Sequence, residues 1–244
     1  MTEGEWLACM RPMLEFLRGR ASERKLRLFA CACVQRIAHL LDDDRSRWAL
    51  RVASDYAEGR VTTEDLDRAR VDAWTVEVDR DPEGFVAPIA IDNLQWWCQM
   101  TDVGDVAPSC DSRLDPVVRA SWAVTLENAW ASAITTASYA GAATRPYGED
   151  LFAQVSLLRC VFGNPFRPVS LPATCRTPTA VALARAAYDE SELPAGTLDP
   201  DRLAVLSDAL EDAGCNSAKM LGHLRREGPH VRGCWVIDLL LGKE

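Results

Sequence analysis

Between Ser22 and Leu41 the apolar residues Leu26, Phe29, Ala30, Cys33, Val34, Ile37, Leu40 and Leu41 fall at i, i+3, i+4 spacing. Such a stripe fits one face of a 3.6-residue period and does not fit an alternating strand. The same signal returns in segment after segment, and the short turn signals that join hairpin strands are missing between them. We therefore expect an all-α fold: a compact multi-helix domain with a small helical C-terminal subdomain. At 244 residues, the chain is long enough to bury on the order of 70% of its unfolded surface, so no disulfide or metal staple is required for a core.

Local chemistry marks the helix boundaries. Ser22 is suited to N-cap the first clear helix, and the run Asp42-Asp43-Asp44 to cap the next, which carries Trp48, Ala49, Val52, Ala53 and Tyr56 and ends at Gly59. Thr62 with Asp65 opens a third helix in the manner of a capping box. From Asp79 to Asp115 prolines and glycines break the pattern into a loop-rich connection, with one apolar cluster, NLQWWCQM, that has the character of a short helix. The segment from Leu114 to Arg145, with Pro116 near its start and Gly141 near its end, reads as one long central helix. Its Ala, Ser and Thr content allows close helix approach. A further helix stops at Gly163. Four prolines in GNPFRPVSLPATCRTP then exclude regular helix and mark a boundary. The expected organisation is a helical domain over 1–162, a Pro-rich connection over 163–177, and a helical subdomain over 178–244 docked on the first. Three short helices are expected there: one after Thr177 with Pro178 in its first turn, one within DPDRLAVLSDALEDAG that ends at Gly214, and one in NSAKMLGHLRRE capped by Asn216.

A net charge of −9 repels phosphate backbones and anionic lipid at long range, so neither nucleic acid nor membrane is expected as a partner. The local exception, Arg18, Arg20, Arg24, Lys25 and Arg27 around Glu23, reads as a solvated helix face. The opening MTEGEWLACM lacks the basic and apolar regions of a secretory signal, and no apolar run approaches the ~20 residues of a membrane span. A cytoplasmic location follows as an expectation. Nine cysteines without repeated short spacing read as free, buried thiols rather than a disulfide framework.

Cys31 and Cys33 differ by two steps of about 100° on a helix, so they leave in opposed directions and cannot share an ion. Cys215, His223, His230 and Cys234 all have zinc-ligating chemistry, yet contain no tight pair of the C-x2-C kind that usually anchors structural zinc. We accordingly expect no metal and no cofactor. His230, Cys234 and Asp238 hold the ingredients of a nucleophilic cysteine site, but Cys234 stands against Trp235, Val236 and Ile237, where a reactive thiolate is out of place. No G-x-S-x-G, P-loop or H-E-x-x-H occurs. Residues 231–241 are apolar in nearly every direction and read as a core element, either helix or strand at this length. Asp238 is anomalous within it. A buried acid needs a cation or hydrogen-bond donor, and Arg232, His230 or Arg167 are the expected partners.

The segments FGNPFRPV (162–169), ALEDAGC (209–215), HVRGCWVIDLLLGKE (230–244) and RKLRLFACAC (24–33) resemble a family of uncharacterised proteins of planctomycete-type bacteria. LSDALEDAGC is also faintly similar to the Ala-Asp-Trp-Leu-Glu-Glu box of repeat-companion modules, without its Trp. The resemblance implies a bacterial setting and no particular activity. The expected function is a non-enzymatic protein-interaction or accessory module of a cytosolic bacterial system, with a protein as partner rather than a small molecule. The alternative is an enzyme or small-ligand binder, with a polar pocket between the N-terminal helices and the C-terminal subdomain where Arg167, His230, Arg232 and Asp238 meet.

Overall fold

A computed structural model describes residues 1–6, 10–80, 115–144, 147–190 and 196–243. The NLQWWCQM cluster and most of the loop-rich connection lie outside them. Helices α1 (Glu3–Trp6), α2 (Met10–Leu17), α3 (Glu23–Arg36), α4 (Asp44–Ala57) and α5 (Thr63–Arg80) come first. Helices α6 (Pro116–Ala123), α7 (Ala129–Ala143) and α8 (Tyr147–Phe162) follow, then α9 (Pro178–Asp189), α10 (Pro200–Asp212), α11 (Ala218–Leu224) and α12 (Trp235–Leu241). Among the described residues the fold is all-α, and the extended pairing is a single isolated bridge between Thr197 and Val231. No described helix is long and apolar enough to cross a membrane.

The caps explain most of the boundaries. Ser22 accepts from the Lys25 amide, Asp43 from Arg45, Thr177 from Ala180 and Asp199 from Asp201. Thr62 and Asp65 bond each other's amides reciprocally, so the shorter Asp serves where Glu is usual. One cap differs from the expectation: Ser217, rather than Asn216, receives the Met220 amide and opens α11.

The expected long central helix is two helices. After Ala123 the chain tightens into consecutive i→i−3 and i→i−4 turns, and Asn128 caps α7 by accepting from the Ala131 amide. Arg27 accounts for the break. It is only 3% exposed, and its guanidinium donates to the carbonyls of Leu126 and Glu127, which a continuous helix would have used itself. The half that remains central is α7, whose buried Ala133, Ala137 and Ala140 let α3 lie close against it.

The core runs without interruption from Leu26, Phe29 and Cys33 of α3 to Leu157 and Val161 of α8, and on to Leu203, Leu206, Val236 and Ile237 of the C-terminal helices. The closing element is a helix. Gly233 precedes it with φ 87° at a point where a Cβ would come within 3.0 Å of Leu28 Cδ1, so a glycine is needed both for the turn and for the close approach to α3.

Candidate functional site

Two polar clusters are enclosed where α9 to α12 meet the first bundle. The first is ionic. Arg24, on the first turn of α3, grips Asp238 of α12 with both ends of its guanidinium, Nη1 to Oδ2 at 2.9 Å and Nη2 to Oδ1 at 3.2 Å. Its Nη2 also donates to Glu58 Oε1 at 2.9 Å and to the Tyr188 hydroxyl at 2.6 Å. Tyr188 in turn donates to Glu58, and Lys243 holds the other Glu58 oxygen. Lys25 donates to the Val161 carbonyl at 3.0 Å and stands 3.7 Å from Asp238. Five distant segments thus share one network.

Burial dominates the titration of Asp238 and raises its carboxyl, an effect that Arg24 and Lys25 offset only in part. Burial would raise Glu58 as well, but hydrogen bonds from Lys243 and Tyr188 and the charge of Arg24 outweigh it and hold that carboxyl at about 2. Burial and the bond to Glu58 push the Tyr188 hydroxyl far up, so it stays a donor.

The second cluster is made of sulfur and imidazole. Cys160 comes from the last turn of α8, His223 from the last turn of α11, His230 from the following loop and Cys234 from the N-cap of α12. Cys160, His230 and Cys234 are buried and His223 is half-buried. Their four donor atoms lie within 4.8 Å of one another. Cys160 Sγ is 3.8 Å from His230 Nδ1, and His223 Nε2 is 3.2 Å from Cys234 Sγ. The two imidazoles meet edge to face at 4.8 Å, and Trp235 covers His223 at 5.3 Å. Burial tends to raise the Cys234 thiol, but the hydrogen bond from Cys160 and the charge and hydrogen bond of the His223 imidazole bring it well below its ordinary value. Cys160, as the donor of that pair and fully enclosed, is raised.

The four residues singled out from sequence do not converge. Arg167 pairs with Glu3 at 2.6 Å, with its side chain 61% exposed. Arg232 turns to the Tyr188 carbonyl at 3.3 Å and packs over that ring. His230 belongs to the sulfur cluster and Asp238 to the ionic one. The partner of Asp238 is Arg24, with Lys25, and not Arg167, His230 or Arg232, because the first turn of α3 abuts α12. With Arg27 also buried, the basic run on α3 is not a solvated face. Cys215 does not join the sulfur cluster; its free thiol shares a hydrogen bond with that of Cys175 instead.

Arg24, Glu58, Tyr188, Lys243 and Cys160 were not selected by sequence reasoning. For Arg24, Lys25 and Arg27 a signal existed, since they interleave with Leu26, Leu28 and Phe29, all of which are buried. Cys160 carried none, being one more small apolar residue beside Leu157, Leu158 and Val161. No protein-family model, no curated protein and no solved structure matches the chain.

Proposed function

We infer that this chain is a non-enzymatic accessory module acting through a protein partner in a bacterial cytoplasm. The observation that carries the reading is that the ionisable groups gathered between α3, α4, α9 and α12 are taken up by one another. Arg24, Glu58, Tyr188, Asp238 and Lys243 form a closed network, whereas an enzyme site presents such groups to a cavity. One hollow among the described residues, of ≈ 680 Å³ and lined by Glu211, Gly214, Cys215, Asn216, Leu221 and Arg225, is an open groove on the outside of α10 and α11. Its arginine is tied to Asp208 and Glu211.

The test pairs two assays on the reduced protein. Affinity capture from lysate of the source cell, followed by titration with the purified partner, should give one protein that binds saturably. A thermal-shift screen of small metabolites should give no stabilising compound. The reading fails if a compound raises Tm and Gly222→Trp abolishes its effect. Gly222 lines the groove and a Cβ there meets nothing within 4 Å, so the backbone accepts a side chain at this position, and an unchanged Tm of the variant alone checks that the fold is kept.

A further inference from the structure

The geometry points to a closed, structural Zn²⁺ site formed by Cys160, His223, His230 and Cys234. The four are drawn from α8, α11, the loop after it and the N-cap of α12. In a tetrahedral site with Zn–S near 2.3 Å and Zn–N near 2.0–2.1 Å, a sulfur and a nitrogen ligand stand about 3.6 Å apart. The sulfur–nitrogen separations here, 3.8 Å for Cys160 to His230 and 3.2 Å for His223 to Cys234, lie on either side of that value. These two pairs are thus near their ligated spacing already, and the four donor atoms, all within 4.8 Å of one another, need only a small contraction to close on one ion. Two thiolates and two imidazoles in tetrahedral array select zinc among the common divalent ions, and the two thiolate charges balance the ion.

His230 Nε2 lies 3.2 Å from the Arg226 carbonyl. A carbonyl only accepts, so Nε2 carries the proton and Nδ1 presents its lone pair toward Cys160. A ligating histidine is held by its outer nitrogen in this way, which fixes tautomer and ring plane. Coordination replaces the thiol protons of Cys160 and Cys234, which leave to solvent, and involves no redox step.

Other uses of these groups fit less well. A catalytic thiolate must be reached by its substrate, and both sulfurs are 0% exposed. Simple packing does not account for two of the chain's three histidines turning their nitrogens onto two thiols inside the protein. With all four positions filled by protein there is no open place for water or substrate, which defines a structural centre rather than a catalytic one. It would tie the C-terminal helices to α8 across a long chain separation. The sequence spacing hides it, because the fourth ligand is Cys160 and not Cys215.

The experiment uses the full chain carrying a tag without histidine, purified under reducing conditions without chelator. One zinc per chain by elemental analysis is expected. Exchange with Co²⁺ should give the intense visible bands of tetrahedral cobalt and a thiolate-to-cobalt charge-transfer band. His223→Gln, the least buried ligand, should lower zinc affinity by at least tenfold and Cys160→Ser should abolish the charge-transfer increment of one thiolate, whereas Cys215→Ser and Cys175→Ser should retain full metal content. Cobalt spectra of the parent protein decide the matter even if a ligand variant fails to fold. Three results would overturn the site: a parent that takes up no zinc, cobalt bound only with the pale octahedral spectrum, or a Cys160–Cys234 disulfide in the metal-free protein that persists under the reducing conditions used.

Discussion

Asp238→Asn is the most informative single change outside the sulfur cluster. Asp238 is 1% exposed and accepts both arms of Arg24. Removing one member of a buried pair costs about 3–5 kcal/mol, because the other charge is left uncompensated. Here Glu58 and Tyr188 continue to hold the guanidinium, and Lys25 keeps the Val161 carbonyl, so the expected loss falls to about 2–4 kcal/mol. For a chain of this size that lowers Tm by about 4–16 °C. Urea and thermal melts of Asp238→Asn, Arg24→Met and the combined Arg24→Met, Asp238→Leu variant form the assay. Replacing both partners by apolar residues removes the stranded charge, so the double variant should be less destabilised than the sum of the singles, with a coupling of at least about 1 kcal/mol. An Asp238→Asn protein that melts with the parent, or a strictly additive cycle, would show that the pair does not hold α12 to α3.

Arg27→Met keeps the aliphatic stem but strands the carbonyls of Leu126 and Glu127, and should cost about 2–4 kcal/mol in a urea titration. Gly163→Ala should destabilise by about 1–3 kcal/mol, since φ is 64° and the new Cβ would press within 3.2 Å of the Trp235 ring; Gly222→Ala, in open helical space, should be neutral or stabilising by up to about 1 kcal/mol. Glu58 is depressed from 4.5 to about 2 in the folded protein. Its contribution is therefore complete above about pH 4.5 and is lost as pH falls toward about 2. Melts of Glu58→Gln against the parent should differ most at neutral pH and converge across that window.

The helical class, most caps and the burial of α12 were legible in the sequence because each rests on local chemistry: a stripe, a capping side chain, a run of apolar residues. What escaped was long-range. The break between α6 and α7 has no proline or glycine at its centre. It exists because Arg27, about a hundred positions earlier in the chain, supplies donors for the carbonyls it frees. The ionic network was half legible. Asp238 advertised itself as an acid in an apolar run, but its partner lay on α3, hidden in a basic cluster whose charge count suggested solvent. The sulfur cluster was three-quarters legible: His223, His230 and Cys234 stand close in sequence, while Cys160 is separated from them by α9, α10 and most of α11.

The two clusters are joined through α12. This helix has seven residues, too few to be stable by itself, so its position must come from tertiary contacts. Cys234 stands at its N-cap and Asp238 one turn later, with the Asp238 amide bonded to the Cys234 carbonyl at 2.9 Å. One turn of helix therefore faces α8 through sulfur and α3 through carboxylate, while Val236, Ile237 and Leu240 fill the core. Apolar burial is tolerant of sliding and rotation, whereas a bidentate arginine and directed cysteine and histidine contacts are not. The polar groups consequently fix the orientation in which the C-terminal helices dock, and the apolar residues supply most of the energy of docking. That division accounts for the placement of rigid, directional chemistry at a short helix that touches both halves of the chain.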